Sequence, residues 1–316
     1  GLGYSNLMSI IGEIIDYIEQ YPDEEFHSKL NLICIEEPEA FMHPQMQELF
    51  IKNINEAVKH LLDESTKKIN SQLFVTTHSS HILNSKIQTS NSFNNINYIT
   101  IIDNLSNVVN LYDKNIISEN DYPDPTERVN QLKFIKKHIK HRISELFFSD
   151  AVIFVEGITE ETLLSYYIDQ NEELNKYYIS IFNINGAHGL VYHTLIHLLK
   201  IPTIVITDLD LKRSADEKTN FIQIESLENR KTTNQTIIKY NESDDISTIG
   251  SCFNMDNLYI TFQSEQVGGY FATSFEEALI LRNFDNEILN IALKNLKPTI
   301  YSGIVANPEN RENLLS

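Results

Sequence analysis

At 316 residues the chain is expected to form two domains, because single cores rarely grow past about 250 to 300 residues. With 41% hydrophobic and 22% charged residues it reads as globular rather than disordered, and it has no bilayer-spanning apolar run and no secretory apolar region at its start. A formal net charge of −19 argues against the whole chain being a general phosphate-backbone binder, whose affinity comes from Lys and Arg releasing counterions.

Nucleic-acid chemistry stays open, since carboxylates that ligate cations reverse the local field. A solvated acidic surface still accounts for most of the 44 Asp and Glu residues. Cys34 and Cys252 lie too far apart for a zinc spacing or a disulfide framework, and a reducing cytoplasm is the expected compartment. The chain opens with Gly rather than Met and is expected to be a fragment.

In chain order, Leu32 to Ile35 is an apolar run ending in Glu36 and Glu37, the pattern of a buried parallel strand feeding a site. Leu49, Phe50, Ile54, Ala57, Val58, Leu61 and Leu62 follow at helical spacing, and Gln72 to Thr76 is a second strand, which makes a βαβ unit. Asn97 to Ile102 and Val108 to Tyr112 are strand-like around the turn-forming "DNLSN". The polar, two-proline stretch Ser118 to Glu127 is the expected domain boundary. The helix after it carries Lys133, Lys136, Lys137, Lys140 and Arg142, which a solvated face explains better than DNA contact.

From Ala151 a β-α-β-α-β alternation begins: "AVIFVEG", "TEETLLSYYI", "YYISIFNINGAHG", "LVYHTLIHLL" and "PTIVITDLD". That order predicts a doubly wound α/β domain. Lys212 to about Met255 is polar and poor in pattern, and mobile loops are expected there.

Two groups of residues carry chemistry. In nucleotide hydrolases one carboxylate at a strand end holds Mg²⁺ and a second orients water, and Glu36 and Glu37 stand in those places. His78, at the end of the second strand, is placed to meet a γ-phosphate. Acidic pairs are common and a lone His is more often structural, so the weight rests on their order and βαβ spacing. No stretch fits the phosphate-binding G-x-x-x-x-G-K-[ST], so tight ATP binding by these residues alone is not expected.

The second group follows strand ends in the later domain. Glu156 comes directly after "VIFV", Gly157 permits a sharp turn, and Glu160 in the next helical turn is expected to face back. Asp208 and Asp210 follow "TIVIT" at i, i+2, which in an extended segment points both to one face. Ligands of open α/β sheets bind outside the carboxyl strand ends. Converging carboxylates repel unless protonated or bridged, and hard Mg²⁺ or Mn²⁺ is the natural occupant. Taken singly, Glu160 and Glu161 also suit a helix N-terminus, and D-x-D also suits a surface turn.

These residues carry a resemblance. "LICIEEPEAFMHP" resembles the Walker B strand of ABC-type ATPases, "LFVTTHSSHIL" their switch-histidine strand, and "GLGYSNL" more weakly their signature segment. "FVEGITEE", "INGAHG" and "VITDLDLK" resemble the motifs of the Toprim domain. The order of the two is similar to the OLD (overcoming lysogenization defect) family of ATP-dependent endonucleases, which includes the nuclease subunit of the Gabija anti-phage system.

The resemblance implies an α/β fold with the C-terminal part of an ABC-type ATPase lobe at 1–118, a connecting helix at 119–149 and a Toprim nuclease at 150–316. It implies Glu36 on the nucleotide's Mg²⁺, Glu37 as the catalytic carboxylate and His78 as the switch. For two-metal DNA cleavage it implies Glu156 as ligand or base, Asp208 and Asp210 on one metal, Glu160 on the second, and Glu276, favoured over Glu277, as a further ligand. His188 suits either a phosphate contact or a structural hydrogen bond. A lysine expected after the acidic helix has only Lys294 and Lys297 as candidates, and their context does not match. DNA, a homodimer or homotetramer, a helicase partner, and ATP with Mg²⁺ given an upstream phosphate loop are the implied partners, with no membrane. The alternatives are a regulatory, nucleotide-sensing or DNA-binding module with an incomplete Toprim site, or a Toprim enzyme of the primase, topoisomerase or RNA-maturase kind.

Overall fold

The computed structural model describes residues 1–20, 31–64, 71–120, 122–139, 143–184 and 189–315. His188, Lys140 and Arg142 lie outside the described residues. The chain divides into two compact units, Gly1–Phe148 and Ser149–Ser316.

The first unit opens with helix α1 (Leu2–Gln20), strand β1 (Asn31–Glu36), helix α2 (Pro44–Glu64), strand β2 (Ser71–Thr76) and helix α3 (Ser80–Ser90). β1 and β2 pair in parallel with Glu36 opposite Thr76, so both strands end at the same level. Phe50, Ile54 and Val58 give α2 one buried stripe at i, i+4, i+8, packed with Ile14 and Ile18 of α1 and with Ile35. Leu49, one position off the stripe, is exposed.

β3 (Ile96–Ile102) and β4 (Leu105–Leu111) form a hairpin whose loop is Asp103 and Asn104 alone. Both have positive φ, at 51° and 61°, the backbone of a tight hairpin turn that Asp and Asn tolerate. The turn is therefore shorter than the expected "DNLSN", and Leu105 to Asn107 continue the ladder. α4 (Asp113–Ile116) and α5 (Pro125–Ile139) complete the unit with a 3₁₀ turn at Ile143–Phe148. Lys136 is not on a solvated face: it is buried, and its Nζ donates to Asp113 Oδ2 at 2.8 Å and to the Asn91 carbonyl at 2.7 Å.

The second unit holds β5 (Ala151–Val155), α6 (Ile158–Gln170), β6 (Ile179–Asn183), α7 (Gly189–Leu199), β7 (Thr203–Ile206), α8 (Ala215–Thr219), α9 (Gln235–Asn241), β8 (Cys252–Met255), β9 (Leu258–Thr261), α10 (Phe275–Arg282), α11 (Glu287–Leu296), α12 (Pro298–Ile300) and α13 (Pro308–Leu315). Its sheet order is β6-β5-β7-β9-β8, parallel except for the β8–β9 pair. Parallel strands covered on both faces need apolar runs, and Val152, Phe154, Val155, Val205 and Ile260 are buried. Phe154 stacks on Tyr192 of α7 with centroids 5.1 Å apart.

The stretch after Lys212 is not a set of loose loops. Ile224, Ile237 and Ile246 are buried in a core with Leu209, Leu211 and Phe262. Its apolar residues are few and widely spaced, which leaves no periodic signal, yet Leu227, Ile249 and Phe253 pack against the same cluster, while Phe221 packs in another and Ile222 is exposed.

Candidate metal and nucleotide sites

In the first unit Glu37 follows β1 with a left-handed φ of 44°, and its N–H donates to the Thr76 carbonyl at 3.0 Å. The strand pairing thus runs one residue past Glu36 and then turns the Glu37 side chain out. His78 Nε2 lies 3.2 Å from Glu37 Oε1, both side chains being exposed. Glu36, Glu37 and His78 are therefore gathered at the common end of β1 and β2.

The residue that the sequence reading missed here is Glu39. Its Oε1 accepts the His78 backbone N–H at 2.7 Å, and its Oε2 is buried without a partner among the described residues. "EEPE" carries a signal for it only once the strand end is known. Ser79 caps α3 by accepting from the His81 and Ile82 N–H groups, which fixes the direction in which the chain leaves His78. α1 lies against this loop: Asn6 Nδ2 donates to the Pro38 and Ala40 carbonyls, and a Cβ on Gly3 would collide with the Phe41 carbonyl.

In the second unit Glu156 leaves the end of β5 and Gly157 stands at the N-terminus of α6. Glu160 folds back over Gly157 and is buried, and its Oε2 has no hydrogen-bond partner among the described residues. A Cβ on Gly157 would stand 2.7 Å from that oxygen, so glycine is what lets the carboxylate lie there. Burial raises the Glu160 carboxyl above its ordinary range, helped by the Glu276 and Glu156 charges and opposed by its own backbone N–H.

Asp208 follows β7 and accepts from the Phe275 N–H at 2.9 Å and from Gln263 Nε2 at 3.3 Å. Burial pushes it up to about 7, against the Phe275 hydrogen bond and with the charges of Glu156, Asp210 and Glu160. Asp210 is raised chiefly by burial and then by Glu156. The two aspartates do not reach one site by strand alternation, as the i, i+2 argument expected. β7 ends at Ile206, and Asp210 has a left-handed φ of 47°. Its position is set by loop bonds, its N–H to the Thr273 carbonyl at 2.9 Å and its carbonyl from the Thr233 N–H at 3.0 Å.

α10 supplies two further carboxylates with different surroundings. Glu276 Oε1 accepts from Thr159 Oγ1 at 3.0 Å, next to Glu160. Glu277 is buried in an ion pair with Arg213 at 2.8 Å. Lys294 sits over the Tyr301 ring, 4.8 Å from its centroid.

Asn234 is the residue of this site that sequence reasoning did not find. It caps α9, is buried, and donates from Nδ2 toward Glu156 Oε1 and Asp210 Oδ2, each at 3.2 Å. Thr207 Oγ1 also donates to Glu156 Oε1, and the Asp208 N–H reaches it at 3.3 Å.

The donor set suits a hard divalent cation: carboxylates alone, Glu160 and Asp208 among them raised by burial first and by neighbouring carboxylate charges second, and one buried oxygen with no proton to accept. Among the described residues, though, no three His, Cys, Asp or Glu side chains stand as a finished metal cage. Hydrogen-bond donors from Asn234, Thr207 and the Phe275 backbone hold the carboxylates instead.

Residues 1–83 match the AAA ATPase domain family, and residues 147–210 match the TOPRIM domain of overcoming lysogenization defect protein-like sequences. The chain is 59% identical over 309 residues, 96% of its length, to the protein named endonuclease GajA from Bacillus cereus (strain HuB5-5). It spans less than half of that relative, 44% of its length. Toprim nuclease domains work in general with a divalent metal. The chain is therefore similar to the OLD (overcoming lysogenization defect) family in its Toprim stretch, which lies on a mostly parallel five-stranded sheet and follows sequence similar to an AAA ATPase domain.

Proposed function

We propose that this chain is part of an ATP-regulated, divalent-metal-dependent DNA endonuclease acting in anti-phage defence or DNA processing. The observation that carries this reading is the approach of Glu156, Glu160, Asp208 and Asp210 beyond the ends of β5 and β7, where burial first and neighbouring carboxylate charges second raise Glu160, Asp208 and Asp210. The name of the relative, an endonuclease, supports the same substrate class.

Glu156, Asp208 and Asp210 would hold one cation and Glu160 with Glu276 a second, Mg²⁺ or Mn²⁺ by the hardness of oxygen ligands. Cations bound there would activate water and neutralise charge at a phosphodiester. Glu156 Oε1 is already tied by Thr207, Asn234 and the Asp208 N–H, so metal ligation or proton acceptance falls to its other oxygen. Asp208 Oδ1 is held by the Phe275 N–H, which leaves its second oxygen for the cation.

In the first unit Glu36 would take the Mg²⁺ of a nucleotide, Glu37 would orient water, and His78, 3.2 Å from Glu37, would sense the γ-phosphate. These residues serve as a control over the nuclease.

Plasmid cleavage with Mg²⁺ and with Mn²⁺ tests the reading. Cleavage is expected in the wild type and lost in the Asp208→Ala, Asp210→Ala double variant. Cleavage that persists in the double variant moves the chemistry elsewhere. Metal binding in the wild type without any cleavage leaves the regulatory module as the function.

A further inference from the structure

We propose that Asn234 is a positioning residue of the carboxylate site: its side-chain amide, locked by the start of α9, holds Glu156 and Asp210 in register for a divalent cation. The inference rests on the metal-site reading above.

The orientation of the amide follows from its partners. Asn234 Oδ1 accepts from the Thr236 N–H at 2.9 Å and the Ile237 N–H at 3.2 Å. Turning the amide over would set its NH₂ against two N–H donors, so Nδ2 must face the carboxylates. Its backbone N–H is also tied, to Thr232 Oγ1 at 3.0 Å, and Thr232 Oγ1 in turn donates to the Leu209 carbonyl at 2.7 Å. Asn234 is 1% exposed and is therefore held on every side.

Nδ2 carries two hydrogens and stands within hydrogen-bond distance of four acceptors. These are Thr207 Oγ1 at 2.7 Å, the Asp208 carbonyl at 2.9 Å, and Glu156 Oε1 and Asp210 Oδ2 at 3.2 Å each. The surplus of acceptors has a consequence. The two shorter bonds, to Thr207 and to the Asp208 carbonyl, satisfy both N–H groups and fix the amide. It therefore keeps its place beside Glu156 Oε1 and Asp210 Oδ2 while the other oxygen of each carboxylate stays free to turn to a cation.

The same amide links three segments that are far apart in the chain: the end of β5 through Glu156, the loop after β7 through Thr207 to Asp210, and the start of α9. A neutral donor between two carboxylates lowers their repulsion without competing as a charge, which a Lys or Arg in that place would do. Outer partners of this kind typically change metal affinity 10- to 100-fold.

Mn²⁺ binding to the purified protein, followed by electron paramagnetic resonance, separates this role from simple helix capping. Asn234→Ser keeps a good cap for α9 and removes the donor to the carboxylates. The expected result is a loss of Mn²⁺ affinity of at least about tenfold. The Mg²⁺ concentration for half-maximal cleavage should rise in parallel, while the KM for DNA and the melting temperature stay near wild type. Asn234→Asp keeps both the volume and the cap and places an acceptor where the donor was. It is expected to cleave at least about tenfold more slowly with its fold intact, and it decides the case should the serine variant be unstable.

A wild-type Mn²⁺ isotherm in the serine variant, or wild-type cleavage in the aspartate variant, overturns the proposal. A wild-type protein that binds no Mn²⁺ at all overturns the metal-site reading instead, so the two failures are distinguishable.

Discussion

Arg213 and Glu277 form a buried ion pair, with Arg213 Nη2 at 2.8 and 3.1 Å from the two carboxylate oxygens. Glu277 also accepts the Thr273 N–H at 2.7 Å, and Thr273 receives the Asp210 N–H through its carbonyl and the Leu211 N–H through Oγ1. The pair therefore clamps the loop of Asp208 and Asp210 to the start of α10.

Removing one member leaves a buried charge without its partner. Arg213→Met or Glu277→Leu alone is expected to destabilise the protein by about 3 to 5 kcal/mol, and the double variant by less than either. Urea unfolding of the four proteins measures this. Additive losses in the double variant would show that the pair does not act as a unit.

Gly157→Ala should separate site geometry from stability. The φ of Gly157 is −131°, which any residue adopts, so the backbone is not strained by the change. The new Cβ meets only the far end of Glu160, a flexible side chain. The expected outcome is a stability loss of about 1 kcal/mol, from a poorer helix cap, together with weakened metal binding and slowed cleavage as Glu160 is displaced. Melting and Mn²⁺ titration on one sample check both.

Glu217 gives a pH dependence. Arg230 Nη1 lies 2.7 Å from its carboxylate, the Ser214 N–H donates to it, and the Arg230 hydrogen bond first and the Ser214 backbone second bring it down to about 2. A depressed carboxyl stabilises the fold above its unfolded value and stops doing so as the pH falls through its folded one. Glu217→Gln should thus cost about 1 kcal/mol at pH 7, a figure discounted for solvent at the rim. The gap to wild type should close between about pH 5 and pH 2. Urea midpoints taken across that range test it, and a gap independent of pH would assign the cost to packing.

Gly3→Ala should disturb the first unit. Here the clash is with backbone, the Phe41 carbonyl, which has no side chain to swing aside. α1 must then lift from the loop after β1, at a cost of about 1 to 3 kcal/mol. Thermal melting of the variant measures the loss, and an unchanged melting temperature would mean that the loop gives way instead.

Much of the site was legible because a parallel strand announces its own end. "VIFV" before Glu156 and "TIVIT" before Asp208 are apolar runs that stop at an acid, and the apolar run is what a doubly covered strand requires. The βαβ alternation then places those ends together. The geometry around Asp210 was not legible: a left-handed backbone at one residue breaks the period-2 rule and leaves no trace in composition. The same holds for the two-residue turn at Asp103 and Asn104, because Ser106 and Asn107, which belong to the ladder, are as polar as loop residues would be. Lys136 misled for a related reason, since its partner Asp113 lies in a different element.

The sequence by itself determined the order of elements, the two carboxylate-bearing strand ends and the family resemblance, because hydrophobic periodicity and short motifs are local properties of the chain. Only the tertiary structure decided which groups meet. It buried Glu160 over Gly157 and paired Glu277, rather than Glu276, with Arg213. It also brought Asn234 to Glu156 and Asp210 across long stretches of chain. Those choices come from packing and from satisfying buried polar groups, forces that act between elements and leave no periodic mark within them.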